Sequence, residues 1–196
     1  MTKRKGAVSE ETKEAILSAA AEEFYEYGYE KASLRHICSS AGVTTGAVYC
    51  FFENKEDLLS NVMMPIFNVV RSISINYDKV LCDDYTAFEE FQKFFSANRK
   101  LYHILYSNMN NPVIAGYIKS LTEEFTHQIT DMAHKALPEN KEPPKELDDY
   151  ISRCLAHIMV YSIIKIIAEE PDDQIVTQRL ITTVRVCKNG ILSLLK

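Results

Sequence analysis

Between Ser33 and Lys55 the chain places Arg35, Thr44, Thr45, Tyr49 and Lys55, hydroxyls and cations of the kind that donate to or neutralise phosphate oxygens. The stretch that must position them is SLRHICSSAGVTTGAVYCFF, residues 33–52. Leu34, Ile37, Cys38 and Ala41 fall at i, i+3, i+4 and i+7, an apolar stripe on one short helix. Ser33 can cap that helix by accepting a free amide of its first turn. Gly42 stops it, because glycine alone takes positive φ at little cost. Val43 returns to the core, and Thr44 caps a second short helix over about Thr45 to Cys50. Two short helices at this spacing make a helix-turn-helix, whose second helix enters the major groove of DNA.

The rest of the chain is expected to be all-α. Its 196 residues suffice to bury about 70 % of the unfolded surface without disulfide or metal support. Hydrophobic content is 46 %, no apolar run approaches 18 residues, and the basic, polar start (Met1–Ser9) is not followed by an apolar segment. These features predict a cytoplasmic protein with no membrane span and no secretory signal. The cysteines, Cys38, Cys50, Cys82, Cys154 and Cys187, are odd in number and form no CxxC pair, which fits a reducing compartment and argues against a zinc site. The net charge of −5 speaks weakly against a polyanion partner, and residues 1–60 carry seven Lys/Arg against ten Asp/Glu. Distribution outweighs the sum. Glu10, Glu11, Glu14, Glu22, Glu23 and Glu26 gather on the first helix, whereas Lys3, Arg4, Lys5, Arg35 and Lys55 lie elsewhere.

Helical periodicity runs nearly end to end and predicts about nine helices. The first spans Ser9 to Tyr27, capped by Ser9, with Ile16, Ala20, Phe24 and Tyr27 inward and Gly28 as its stop. After the two short helices, Asn54 caps a fourth, with Asp57 completing a box and Leu58, Val62, Ile66 and Val70 inward; Pro65 should kink it before its end near Ile75. A loop over Asn76–Asp84 precedes a fifth helix, Tyr85–Ala97, capped by Asp84 with Phe88, Phe91 and Phe95 inward. A sixth covers Arg99–Ser107. Asn111-Pro112 opens a seventh that runs to about Ala136 on Ile114, Ile118, Leu121, Phe125 and Met132. Beyond a loop over Pro138–Pro144, the last two helices cover 145–169, with Ile151, Leu155, Ile158 and Ile166 on one face, and 173–195, with Leu180, Val184, Cys187, Ile191 and Leu195 on another. Either the chain's own core or a second copy can take these two faces.

With these residues in place, the chain resembles the TetR family of bacterial transcriptional regulators. The landmarks are Phe24, Gly28, Ile37, Ala41, Gly42, Val43, Gly46, Tyr49, Phe52, Lys55 and Leu58. They cover about 50 residues, and the remainder matches only in being helical and of the usual length. The resemblance implies a helix-turn-helix DNA-binding domain (1–54) followed by a helical regulatory and dimerisation domain (55–196). It implies a homodimer reading a palindromic double-stranded operator, with half-sites about 34–36 Å apart. It also implies a small-molecule effector that tilts the fourth helix and relieves repression.

Carried onto this chain, the DNA-facing set is Ser33, Arg35, Thr44, Thr45, Gly46, Ala47, Tyr49, Phe51 and Lys55. Gly46 admits close backbone approach, Tyr49 and Lys55 meet phosphates, and Thr44 and Thr45 offer hydroxyls to phosphate or base. Arg35 reaches a guanine or a phosphate, and Ala47 touches a thymine methyl. Phe51 stands where the family often has histidine or tyrosine, so that hydrogen bond is lost. Ala47, Val48, Cys50 and Phe51 offer few donors, which predicts reliance on DNA shape. Cys38 reads as a small core residue, and Cys50 as an exposed thiol with nothing nearby to lower its pKa.

The effector site is expected among Tyr102, Tyr106, Tyr117, Phe125, His157 and Tyr161, with His157 and Tyr161 sharing a helix face at i, i+4. No metal or cofactor is expected. A DNA-organising or cell-division factor on the same fold, without a ligand, is the competing reading. An enzyme is disfavoured because no nucleophile elbow, phosphate loop or metal motif occurs.

Overall fold

The computed structural model describes residues 5–72, 82–138, 143–145 and 147–195. Among them nine helices occur and no strand: α1 (Lys5–Lys31), α2 (Leu34–Ala41), α3 (Thr45–Tyr49), α4 (Lys55–Ser72), α5 (Thr86–Ala97), α6 (Arg99–Ser107), α7 (Pro112–Lys135), α8 (Asp149–Glu169) and α9 (Asp173–Leu194). The expectations for the tail residues Lys3 and Arg4, the end of the fourth helix near Ile75, most of the Asn76–Asp84 and Pro138–Pro144 loops, and the side chains of Lys5, Val70 and Phe91 lie outside what is described.

In α1, Ile16, Ala20 and Phe24 are buried as their spacing requires, each large side chain stabilising the fold by roughly 1.5–3 kcal/mol. Two features correct the sequence reading. The helix begins at Lys5, so Ser9 lies within it and not at its start. Tyr27 is 50 % exposed and Tyr29 is buried in its place. Gly28 is the cause: at φ 73°, ψ 159° it leaves the helical region, and the redirected chain turns Tyr29 inward, its ring 5.7 Å from that of Phe24.

Most helix ends use the expected caps. Asn54 accepts from the Asp57 amide at 2.8 Å, while the Asp57 carboxylate reaches the Glu53 amide at 3.0 Å, one residue earlier than a capping box would place it. α4 runs continuously through Pro65, with Leu58, Val62 and Ile66 buried. Asp84 accepts from the Thr86 amide at 3.1 Å. Asn111 caps α7, with Pro112 in its first turn, and Asp172 caps α9. α8 starts four residues later than expected because Asp148, not the Lys145 region, supplies its cap, accepting from the Ile151 amide at 2.8 Å.

α7, α8 and α9 stack side by side; α6 packs on both α8 and α1, and α4 lies against α1, α6 and α7. The face that α8 buries is not Ile151–Leu155–Ile158–Ile166. Ile151 and Ile158 are exposed, and Ser152, Ala156, Met159, Val160, Ile164 and Ile167 point inward. α8 is apolar almost all round, so helical spacing cannot select a face. The buried face takes in the small residues Ser152 and Ala156. By length and apolarity α8 also resembles a membrane span, yet its inner face packs on α6, α7 and α9, and Arg153 and Lys165 lie outside. The α9 stripe behaves as predicted, with Leu180, Val184 and Ile191 buried.

Asp83, at φ 59° the one non-glycine residue with positive φ among those described, is tied to α9. The buried Lys188 ammonium donates to it at 2.7 Å and Tyr85 Oη donates at 2.9 Å. The Lys188 hydrogen bond and then the Tyr85 hydroxyl hold the Asp83 carboxyl below its ordinary range. A depressed folded pKa means that the stabilisation is complete above the unfolded value of about 3.9 and disappears as pH falls through the folded value. Asp83→Asn should therefore melt lower than the parent at pH 7, and thermal scans should show the gap closing progressively in acid below pH ~4.

Candidate nucleic-acid interface

α2 and α3 are built as their sequence predicts. Ser33 caps α2, its hydroxyl accepting from the His36 amide at 3.4 Å. Gly42 closes the helix at φ 67°, ψ 30°. Val43 then donates to the Cys38 carbonyl at 2.9 Å and rests half-buried on the core. Thr44 caps α3 by accepting from the Ala47 amide at 3.2 Å. Ile37, Cys38, Val48 and Phe52 are buried beneath this pair, so the outer surface of α3 is held by a small packed core.

That outer surface carries Thr44, Thr45, Gly46, Tyr49 and Cys50, all exposed, with Arg35 and Ser33 exposed on the α2 side. Tyr49 is 54 % exposed, which disposes of a core role for it. A Cβ added at Gly46 would meet only Thr44 Oγ1, at 3.8 Å, an ordinary contact. The fold has room for a side chain there. Ala47 and Phe51 are half-buried, and Phe51 leans on Phe52 with ring centroids 6.2 Å apart, leaving little of it to face outward. Cys38 is buried and Cys50 exposed, as predicted.

Lys55 does more than face outward. Its Nζ donates to the Glu30 carbonyl at 3.2 Å and sits 4.7 Å from the Tyr29 ring centre, a cation–π distance. It thereby ties the start of α4 to the end of α1. Burial, with Glu56 and Glu30 beside it, raises the Tyr29 hydroxyl above its ordinary pKa.

Sequence reading missed two other positioning groups. Glu23, expected on the exposed acidic face, is 7 % exposed. Its carboxylate accepts from the Ser33 amide at 2.9 Å and meets His36 Nδ1 at 2.7 Å, so it fixes the start of α2 against α1. The signal was present: Glu23 lies seven residues after Ile16, in phase with the buried stripe. Asn108, between α6 and α7, accepts from the Tyr29 amide at 3.3 Å; no local pattern marks it. α6 further holds α1 through Lys100, whose Nζ lies 2.6 Å from Glu22 Oε1, and through His103, edge-on to Tyr25 at 4.9 Å.

The aromatic residues proposed around an effector separate into two places. Tyr102, Tyr117 and Phe125 are buried. Tyr102 and Phe125 line a cavity of about 20 Å³ with Ile66, Leu105, Leu121, Val160, Ile163 and Ile164. Tyr117 stands beside α4, stacked on Phe67 with ring centres 3.4 Å apart and donating to the Phe67 carbonyl at 3.2 Å. His157 and Tyr161 instead line a surface groove of about 820 Å³ between α7 and α8, and Tyr106 pairs with Tyr161 at its edge. Among the described residues the Tyr102 hydroxyl has no hydrogen-bond partner, and burial drives its pKa well above the ordinary phenol value. Leaving such a group unpaired costs about 1–3 kcal/mol.

The fold and this surface define an all-α protein with an N-terminal helix-turn-helix and a larger helical part behind it. Residues 16–62 match the family described as bacterial regulatory proteins, tetR family. Over 61 residues the chain is 43 % identical to the HTH-type transcriptional repressor BepR of Brucella suis, a match spanning 31 % of this chain and 29 % of that protein. It is 41 % identical over 63 residues to the HTH-type transcriptional regulator SrpR of Pseudomonas putida, covering 32 % of this chain and 30 % of that one. The aligned stretch is thus under a third of either relative's length. Solved structures resemble the fold throughout. A TetR-like transcriptional regulator from Rhodococcus sp. RHA1 matches with TM-score 0.64 at 16 % identity over 97 % of this chain and all of that one. NalD, the secondary repressor of the MexAB-OprM multidrug efflux pump in Pseudomonas aeruginosa, matches with TM-score 0.57 at 21 % identity over 90 % and 96 %. The helix-turn-helix stretch thus matches the tetR family, and the fold as a whole resembles that of TetR-like regulators.

Proposed function

We propose that this chain is a DNA-binding transcriptional regulator that works as a homodimeric repressor on a palindromic operator and is released by a small molecule. The observation that carries the DNA-binding reading is Gly46: an exposed glycine inside a short helix, with no structural need for its missing side chain, flanked by the exposed hydroxyls of Thr45 and Tyr49. That is the surface a phosphate backbone can approach closely. Residues 1–54 form the reading unit and 55–196 the regulatory one. Thr44, Thr45, Tyr49 and Lys55 grip the backbone, Ser33 and Arg35 flank them, and Ala47 and the remaining edge of Phe51 offer apolar contact. Its relatives' place among regulators favours a non-enzymatic, cytoplasmic role.

If Arg35 and Lys55 supply about four ionic contacts per dimer, the logarithm of the binding constant should fall against log salt with a slope of roughly −4. Fluorescence anisotropy on an operator selected from random duplexes measures it. A slope near zero would remove the DNA-binding geometry.

For the dimer, α8 and α9 leave apolar side chains outside: Ile158 is 55 % exposed, Val186 65 %, with Ile151 and Ile175 beside them. Pairing these faces about a two-fold axis would give a four-helix interface. Val186→Glu should shift the protein to monomer in light scattering and weaken operator binding by more than tenfold, because one half-site alone then supplies the contacts. An unchanged dimer would move the interface elsewhere. Release is read through α4, whose start is tied to α1 by Lys55 and whose Ile66, about 16 Å further along the helix axis, lines the Tyr102 cavity.

A further inference from the structure

α2 opens with half of a capping box. In the full motif a serine or threonine at the N-cap accepts from the amide three residues on, and a Glu or Gln at that third position reaches back to the amide of the cap. Ser33 supplies the first half, its hydroxyl accepting from the His36 amide at 3.4 Å. The residue that should supply the second half is His36 itself. The Ser33 amide is taken instead by another helix: Glu23 of α1 accepts from it through Oε1 at 2.9 Å. The second carboxylate oxygen, Oε2, accepts from His36 Nδ1 at 2.7 Å, since beside a carboxylate that nitrogen is the donor. One side chain of α1 therefore holds both residues of the broken box.

These two bonds are shorter than the one made by the Ser33 hydroxyl, and bonds to an ionised acceptor are about twice as strong as neutral ones. Glu23 is thus the main restraint on the first turn of α2. Its burial points the same way. At 7 % exposed and in phase with Ile16, it occupies a position where leucine would avoid desolvating a charge, and apolar replacements of buried ionic groups are often as stable or more so. An apolar contact tolerates sliding, whereas a carboxylate bonded through both oxygens fixes one placement of α2. Tyr27, one turn further along α1, stands edge-on to the His36 ring at 6.1 Å, a second contact from the same helix.

We propose that Glu23 is a positioning residue for DNA binding: from α1 it completes the capping box of α2 and so sets the orientation of Arg35, which lies between the two residues it holds. Glu23 acts through Arg35, not by contact with the duplex. A small rotation of the first turn is magnified at the end of the long arginine side chain, whose guanidinium needs hydrogen-bonding geometry at a phosphate or a base edge. The inference deepens the DNA-binding reading above and rests on it.

The test uses full-length variants. Folding is followed by circular dichroism and thermal melting, and binding by anisotropy on the duplex selected with the parent. Glu23→Gln keeps both bonds, its carbonyl accepting from Ser33 and its amide donating to the other tautomer of His36, and should bind within about twofold of the parent. Glu23→Leu removes the same charge and both bonds, so the pair separates geometry from charge. It should bind about tenfold more weakly, with the salt slope reduced from roughly −4 to roughly −2 because the two Arg35 contacts of the dimer are lost. Adding Arg35→Ala to it should cost nothing further. Glu23→Leu/His36→Glu rebuilds the whole box inside α2 at the parent's count of acidic groups, without the tie to α1. It should recover the melting temperature and keep the weak binding, and it replaces Glu23→Leu in the comparison if that variant does not fold. Full affinity or an unchanged slope in Glu23→Leu, an additive loss on Arg35→Ala, a tenfold loss in Glu23→Gln, or recovered affinity in the double variant overturns the positioning role. A parent that binds no duplex sinks the DNA-binding reading and this role together, whereas the other outcomes, seen against a parent that binds, sink the role alone.

Discussion

Gly46→Ala should fold normally and lose operator affinity by roughly tenfold, and Gly46→Leu by roughly a hundredfold, corresponding to about 1.4 and 3 kcal/mol of binding. The argument separates folding from function at a single atom. A Cβ at Gly46 meets nothing closer than 3.8 Å within the protein, so the folded state pays no steric cost. Alanine is also the better helix former, by up to about 1 kcal/mol in a helix interior and less in a five-residue helix. The melting temperature should stay level or rise by a degree or two, as 1 kcal/mol moves a chain of this size by about 2–4 °C. Operator binding should fall because the added methyl stands where the DNA backbone must come close. The two measurements are thermal unfolding and anisotropy titration on the same preparations. Full affinity in Gly46→Leu would show that α3 does not face the duplex.

Gly28→Ala should have the opposite signature, a large loss of stability with DNA binding lost as a consequence. Gly28 adopts φ 73°, ψ 159°, a region essentially reserved for glycine and costing other residues about 1–3 kcal/mol. Nothing lies within 4 Å of the position its Cβ would take, so the penalty is purely one of backbone conformation. The strain can be relieved by continuing α1 as a regular helix, but only by pulling Tyr29 from the core. That breaks its amide's bond to Asn108 and removes the ring on which the Lys55 ammonium rests. The expected result is a drop of roughly 2–3 kcal/mol in urea unfolding, or about 5–10 °C in melting temperature, with weaker operator binding because α1 and α4 lose their common anchor. A melting temperature equal to the parent's would show that this turn is soft and that the Tyr29–Lys55 link does not position the reading unit.

The helix-turn-helix was almost wholly legible in the residues because its determinants are local. Ser33, Gly42 and Thr44 each act within four positions of themselves, and their caps and turn formed as read. The same holds for Asn54 and Asn111. Errors arose where the deciding partner is distant or the pattern is degenerate. Tyr27 and Tyr29 compete for one core position, and only the angle at Gly28 selects between them. Glu23 looked like a solvated acid until Ser33 and His36 were brought against it. α8 offers apolar residues on every side, so its inner face is set by how it packs on α6, α7 and α9.

The sequence by itself determined the all-α class, the nine helices among the described residues and most of their ends, and the helix-turn-helix. These follow from caps, turn glycines and helical spacing, interactions closed within a few residues. The tertiary structure alone decided which face of α8 turns outward, that Lys55 anchors α4 to α1, that Asn108 and Lys100 tie α6 and the turn after it to α1, and that Tyr102 rather than Tyr161 is buried beside a small cavity. Those outcomes depend on pairs far apart in the chain, up to 79 residues for Tyr29 and Asn108, whose meeting is set by helix packing and by the desolvation of polar atoms that no local pattern records.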